Sequence, residues 1–422
     1  MNNMPSLSIR LVTQATRDTL ALVLAGGRGV RLDGLTAHHA KPAVPFAGKY
    51  RIIDFTLSNC VNSGIRRIGV LTQYKAQSLL EHLTHGWGFL RGELGEFLLP
   101  LPAQQRRGES WYRGTADAVF QNLEFVTAHH PRYVLILGGD HVYKMDYGDL
   151  IAAHLSAGAR VTIMATPVSR ERARDFGIMR VGAMNQVTHF YEKPDSETLG
   201  QLVGNEAPLA SMGVYLFDIS TLVEVLRTDA EDPDSTHDFG YDILPRLVRE
   251  GDLHAYPYVD ENGAARYWRD IGTIDAYWEA NMEMVRVVPE LDLYDPAWPI
   301  WTRAEQGPPA KFVFDEPTRR VSVVNSMVST GCIISGATVR DSILSRRVFV
   351  DEGSLLEECL ILPEVTIGPH VHLKRCIVEA GTKVPAHTCV TPDLLMDRTE
   401  RTQKGVTLLK TATFGQPDLI LL

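Results

Sequence analysis

From Val321 onward, branched aliphatic residues recur every six positions, and few architectures accommodate that period. Ile361, Ile367 and Leu373 form one row and Val365, Val371 and Ile377 a second; after one slipped residue come Val378, Val384 and Val390. Glycine and small residues follow the aliphatic position, as in Ile367-Gly368 and Ile334-Ser335-Gly336. A helix would repeat at 3.6 and a sandwich of hairpins at two, so the six-residue period predicts a parallel β-helix. The repeat covers about 70 residues, room for some four coils of three hexapeptides each.

The chain ahead of the repeat reads as alternating strands and helices. TLALVLAG, residues 19–26, is a buried strand running into the glycine-rich turn GGRGVRL and then HHAKPAVPFAGKYRIIDF. RRIGVLTQY is a strand, and KAQSLLEHLTHGW a helix with Leu79, Leu80 and Leu83 on one face. LPAQQRRGESWYRG is a polar loop, followed by one helix through GTADAVFQNLEFVTAHH with Thr115 as its N-cap and Asp117 in its first turn. The apolar run YVLILGGDHVY is a strand buried on both sheet faces. GIMRVGAMNQVTHFYEKP bends back as a hairpin around Met184-Asn185, and ASMGVYLFD is a further strand, with Ser220 capping the next helix. This alternation predicts an α/β fold: a doubly wound, mostly parallel sheet of Rossmann-like character. The expected divisions are an extension over 1–18, the α/β domain over 19–287, a linker over 288–320 bearing six prolines, the β-helix over 321–392 and a tail over 393–422.

Composition narrows the class. The chain has 422 residues, 45% of them hydrophobic, enough for two cores. No apolar run approaches the roughly 18 residues of a membrane span, and the N-terminus lacks the order of a signal peptide, so a cytoplasmic location is expected. Five widely spaced cysteines with no C-x-x-C suit reduced packing residues. With 42 basic and 51 acidic side chains the formal charge is −9, which argues against nucleic acid. An acidic chain that binds polyphosphate must gather its basic groups locally or recruit a cation.

Both devices are visible. Gly26, Gly27 and Gly29 allow a tight turn whose N–H groups can face an anion, and Arg28, Arg31 and Lys41 add positive charge. No Gly-Lys-Ser/Thr follows, and Leu32 stands where a dinucleotide motif needs its third glycine, so neither pattern applies. Asp140 ends a buried strand, where a carboxylate is costly unless paired or bound to a cation; an isolated Asp there is as often a helix N-cap. Asp270, in YWRDIGT, taken in isolation reads more readily as the salt-bridge partner of Arg269 than as a metal ligand.

LAGGRGVRL followed by AKPAVPFAGKYRIIDF resembles the sugar-1-phosphate nucleotidyltransferases, and within them the bacterial ADP-glucose pyrophosphorylases, over most of the chain from about Leu20 to about Val390. The resemblance implies a left-handed β-helix and an Mg²⁺ ion held by Asp140 and Asp270. It implies catalytic roles for Arg28, Lys41 and Lys193, and a nucleotide site at Leu24, Gly26, Gly27, Gly29, Gln73, Tyr112, Gly114 and Thr115. The sugar phosphate falls to Gly177, Glu192, Lys193, Ser211, Tyr215 and Asp238, with Pro194 holding Lys193 extended. The implied reaction joins ATP and glucose 1-phosphate into ADP-glucose and pyrophosphate. The attacking phosphate oxygen is already an anion, since the second pKa of a phosphate ester lies near 6. No general base is needed, and His141 reads as structural. A small anionic metabolite effector, gripped by Arg51, Arg398 and Arg401, and a homotetramer are further implications. Val30 and His38-His39 depart from the family pattern, His38-His39 replacing basic residues of the effector region. A UTP- or dTTP-dependent pyrophosphorylase, a non-catalytic regulatory subunit and a β-helix acyltransferase are the alternatives.

Overall fold

The computed structural model describes residues 8–27, 29–32, 34–37, 39–104, 111–204, 207–394 and 399–416. Nine strands make the main sheet: β1 Thr19–Ala25, β2 Arg67–Thr72, β3 Phe97–Pro102, β4 Tyr133–Gly138, β5 Val161–Pro167, β6 Gly177–Val181, β7 Val187–Glu192, β8 Leu209–Asp218 and β9 Leu253–Pro257. They run in the order β3-β2-β1-β4-β8-β5-β9, and the β6-β7 hairpin pairs with the first residues of β8 on the edge it shares with β4. The β3-β2-β1-β4 half is parallel; β8 runs antiparallel to β4, β5 and β6. The sheet is therefore mixed, its parallel half carrying the glycine turn.

Alternate residues of the central strands enter separate cores. Ala21, Val23, Leu135 and Leu137 pack into one cluster, Leu20, Leu22, Val134 and Ile136 into the other, and every one of these side chains is fully buried. Covering both faces explains why these strands read as unbroken apolar runs. Each such aliphatic side chain contributes about 1.5–3 kcal/mol on burial.

Two helix expectations are corrected. The stretch from 114 to 130 is two helices, Thr115–Phe120 and Leu123–Ala128, and Gly114 is the N-cap because the Thr115 hydroxyl is engaged elsewhere. The later helix is Ile219–Glu231, with Asp218 at its N-cap and Ser220 inside it.

Three parallel sheets form the β-helix, beginning at Lys311–Val313 and closing with Thr407–Leu409. Its coils thus take in the end of the 288–320 stretch and part of the 393–422 tail. Successive coils pair Ile343 with Leu360 and Leu360 with Ile377, a step of 17 residues where three hexapeptides would give 18. The slipped residue in the repeat is this shortened corner. Ile361, Ile367, Leu373, Val378, Val384 and Val390 follow one another into the β-helix core. Left-handed residues turn the corners, among them Arg347, Glu364 and Gly381 in one column and Asp341, Glu358 and Arg375 in another.

The two domains share apolar packing. Phe46, Ile52, Phe55 and Tyr277 lie in one cluster with Ile343, Leu360, Ile377 and Leu408. The Trp278 indole donates to Glu358 O at 3.0 Å and the Ser329 hydroxyl to Gly48 O at 2.9 Å. The proline-rich stretch is pinned to the Ile52–Asn62 helix, where Trp301 N donates to Ser58 Oγ and Thr302 Oγ1 to Asp54. No helix among the described residues is long and apolar enough to cross a membrane.

Candidate active site

The carboxyl ends of β1, β2 and β4 lie side by side, because β1 pairs in parallel with both neighbours. At that edge of an open α/β sheet the chain leaves each strand and opens a crevice. Leu24 O accepts the Gly139 N–H at 3.0 Å, and a Cβ on Gly139 would fall 3.0 Å from Val23 Cγ1, so the two strand ends meet closely. Gly26 lies against Gln73, where a Cβ would stand 3.2 Å from the Gln73 Cβ. Gly27 has open space around it, and Gly29 has φ +61°, which glycine adopts without strain.

Past β4, His141–Tyr143 pairs antiparallel with Trp268–Asp270, placing Asp270 opposite His141. This two-stranded ladder brings together carboxylates that are 130 residues apart in the sequence. Lys41, on the 3₁₀ turn Lys41–Ala43, completes the group: its ammonium lies 2.6 Å from Asp140 Oδ2 and 3.1 Å from Asp270 Oδ1. Lys41 is 8% exposed. Burial works against its charge, but Asp140 and Asp270 prevail and raise its pKa. For Asp140 burial pulls upward, while Lys41 and His141 hold the carboxyl well below the usual range.

Asp140, His141 and Asp270 each offer a ligand atom within 4.8 Å of the others. The His141 Nε2 lies 3.4 Å from Asp140 Oδ1, its ring meets Trp268 edge-on at 5.3 Å, and its buried Nδ1 has no hydrogen-bond partner. From the sequence His141 is expected to be structural, since a histidine after a strand is usually packing. Only the ladder with Trp268–Asp270 shows its place.

Of the residues expected to face a nucleotide, Gln73, Tyr112, Gly114 and Thr115 lie at or near the start of the Thr115–Phe120 helix. Gln73 Nε2 donates to Tyr112 O at 3.3 Å. The Tyr112 hydroxyl donates to Leu101 O and accepts from Asn122 Nδ2 at 2.9 Å, so the ring is anchored where the sequence suggested a mobile loop. Gly114 must be glycine: a Cβ would lie 2.2 Å from His237 O. Thr115 Oγ1 donates to Asp238 Oδ2 at 2.9 Å.

Of the residues expected to face a sugar phosphate, Gly177, Glu192 and Lys193 lie on or just past the β6-β7 hairpin. Gly177 faces Glu192 across the ladder, and a Cβ there would fall 2.4 Å from the Phe190 ring and 2.6 Å from Glu192 Oε2. Burial raises the Glu192 pKa, with Lys193 opposing and Asp238 adding to the rise. The Lys193 ammonium stands 3.5 Å from Glu192 Oε1 and 5.9 Å from the Tyr241 ring centroid. Lys193 has φ +46°, so the expectation of an extended residue before Pro194 is corrected: the chain reverses there, and its N–H is held by Phe176 O at 3.0 Å. Ser211 Oγ lies 3.4 Å from the Tyr215 hydroxyl, and burial pushes the Tyr215 pKa up. Asp238 Oδ1 caps the N–H groups of Gly240 and Tyr241.

The carboxylate ladder and the β6-β7 hairpin are joined in one packed wall. The Trp268 ring, which touches His141, is 5.1 Å from Phe176, and Phe176 holds Lys193. Arg51 donates to Ala43 O at 2.7 Å, on the turn that carries Lys41, and lines a cavity between the domains. Arg401 donates to Thr391 O and Pro392 O and does not line that cavity. Arg28, His38 and Arg398 lie outside the described residues.

Residues 20–286 match the family described as Nucleotidyl transferase, and residues 308–409 the GlmU-like C-terminal hexapeptide family. Among curated proteins the chain is 54% identical to the glucose-1-phosphate adenylyltransferase of Paramagnetospirillum magneticum, with 94% of each chain covered. It is 52% identical to that of Methylobacillus flagellatus, over 97% of each, and 53% identical to glucose-1-phosphate adenylyltransferase 2 of Alkalilimnicola ehrlichii, over 97% of this chain and 98% of that one. The parallel-stranded crevice, the hexapeptide β-helix and this likeness over nearly the whole chain agree, and the chain belongs to the glucose-1-phosphate adenylyltransferase family of nucleotidyl transferases.

Proposed function

We propose that this chain transfers the adenylyl group of ATP to glucose 1-phosphate, releasing pyrophosphate and forming ADP-glucose. The observation that carries the reading is the Lys41 ammonium set between Asp140 and Asp270 at the crevice edge, in a chain whose full-length relatives bear that activity in their names. The sugar phosphate is its own nucleophile. Catalysis then consists of alignment and dispersal of negative charge. Lys41 and Lys193 supply fixed charge from opposite ends of the wall, and Arg28 is proposed to join them. Gly26, Gly27, Gly29 and Gln73 receive the nucleotide; Glu192, Ser211 and Asp238 orient sugar hydroxyls.

Mg²⁺ fits the site: the Asp140 and Asp270 carboxylates are hard oxygen donors with atoms within 4.8 Å of one another. Asp140 and Asp270 would hold the ion, which when bound neutralises phosphate charge. Lys41 satisfies both carboxylates here and competes with any cation for them.

Regulation is proposed at Arg51. It lines a cavity of about 660 Å³ between the domains together with Lys49, Arg303 and Arg346; Arg303 pairs with Glu81 and Arg346 with Glu305, so a small anionic effector would draw on Arg51 and Lys49 and compete with those carboxylates for the other two. A homotetramer is the proposed assembly, read by light scattering.

Pyrophosphate release with each of ATP, UTP, dTTP and GTP tests the reading. ATP with glucose 1-phosphate and magnesium should give the fastest rate. Equal or faster turnover with UTP or dTTP overturns the adenylyl assignment, and no turnover with any nucleotide favours a regulatory subunit.

A further inference from the structure

We infer that His237 is a positioning residue joining the nucleotide side of the crevice to its sugar-phosphate side, so that the two substrates bind interdependently, an assignment that rests on the reaction proposed above. His237 is 5% exposed and has φ +58°, a left-handed backbone conformation uncommon for a residue that carries a Cβ. The contacts that hold it are specific. Its ring Nδ1 lies 2.9 Å from Asp229 Oδ2, near the end of the Ile219–Glu231 helix, and Asp229 is itself buried. Ser235 Oγ donates to Asp229 Oδ1 at 2.6 Å and accepts the His237 N–H at 2.9 Å.

Held in this way, the His237 backbone serves the nucleotide side. Its carbonyl accepts the N–H groups of Ala116 at 2.8 Å and Asp117 at 3.3 Å, two amides that the Thr115–Phe120 helix leaves without an internal partner. The fit is tight enough to exclude any side chain at Gly114. The next residue serves the sugar side. Asp238 accepts from Thr115 Oγ1 with one oxygen and from the Gly240 and Tyr241 N–H groups with the other. Gly240 abuts Glu192, where a Cβ would come within 2.5 Å of Oε2, and the Tyr241 ring lies beside the Lys193 ammonium. A shift of the 235–238 loop therefore moves Gly114-Thr115 and Glu192-Lys193 together. Two sites that bias one movable element are coupled, and the coupling is reciprocal.

The test compares the full-length wild type with His237→Gly and His237→Asn. Glycine removes the ring without backbone strain; asparagine tolerates the left-handed backbone and offers an amide N–H to Asp229. The glycine variant should raise the KM for both ATP and glucose 1-phosphate by about tenfold while kcat changes less, and asparagine should restore both. Calorimetry reads the coupling directly. Saturating glucose 1-phosphate should change the affinity of the wild type for a non-hydrolysable ATP analogue and leave that of the glycine variant unchanged. A folded glycine variant with either KM unmoved, or with wild-type coupling, overturns the assignment. If the glycine variant does not fold, Asp229→Ala removes the acceptor that holds the same ring and gives the same two readings. Absence of turnover in the wild type strikes the proposed reaction, whereas an active wild type with unmoved variants strikes only the joint.

Discussion

One ammonium at Lys41 answers two carboxylates, and the consequences are measurable residue by residue. Asp140, with its pKa depressed, contributes stability that is complete above the unfolded value of about 3.9 and is lost as pH falls. Lys41, with its pKa raised, contributes stability that is complete below about 10.4 and is lost as pH rises through its folded value. The melting-temperature gap between wild type and Lys41→Met should therefore stay level from about pH 5 to 9 and narrow below about pH 4. A gap unchanged at pH 3 contradicts the ion pairs. Lys193, half exposed beside Glu192, has a different part. Lys193→Gln should chiefly raise the KM for glucose 1-phosphate, by about tenfold or more, and an unchanged KM removes it from the sugar-phosphate pocket. Gly177→Ala should do similar harm by another route, since its methyl must displace the Phe190 ring and Glu192.

At the scale of elements, the Ile52–Asn62 helix is the hidden support of the site. Its Asp54 carboxylate is wholly buried and receives His82 Nε2 at 2.6 Å, Trp87 Nε1 at 3.2 Å, Arg51 N at 2.8 Å and Thr302 Oγ1 at 2.6 Å. The same helix sends Thr56 Oγ1 to Gly138 O at 3.0 Å, next to the strand end that carries Asp140. Asp54→Ala strands four donors and should cost about 3–5 kcal/mol in urea unfolding. A loss below about 1 kcal/mol would show that water or neighbouring groups satisfy them instead. Much of this level was legible in the sequence: the buried β1 and β4 runs, the hairpin turning at Met184-Asn185, and glycines at 26, 27 and 29. What escaped it depends on partners distant in sequence. Thr115 looks like an N-cap until Asp238 takes its hydroxyl, and Lys193 looks extended until Phe176 holds its amide in a reversal. His141 has no local signal, because its neighbours are supplied by Trp268–Asp270.

For the whole molecule, the apolar cluster shared between Phe46, Ile52 and Tyr277 and the β-helix residues Ile343, Leu360 and Leu408 makes the domains interdependent. A chain ending at residue 305 would expose that cluster and should aggregate or melt well below the intact protein; a soluble truncation with an unchanged melting temperature would show two independent domains. The β-helix was readable because its inward residues repeat, and even the slip before Val378 has its cause in the 17-residue coil. Its docking against the first domain left no periodic trace. If Asp140, Asp270 and Lys41 are the chemical centre of the proposed adenylyl transfer, removing one carboxylate charge must all but abolish it. ADP-glucose formed from ATP and glucose 1-phosphate with magnesium is compared in wild type and in Asp140→Asn of matched far-ultraviolet circular dichroism. Robust product is expected from the wild type and a loss of about a hundredfold or more in the variant. Near-normal product from Asp140→Asn would contradict that assignment.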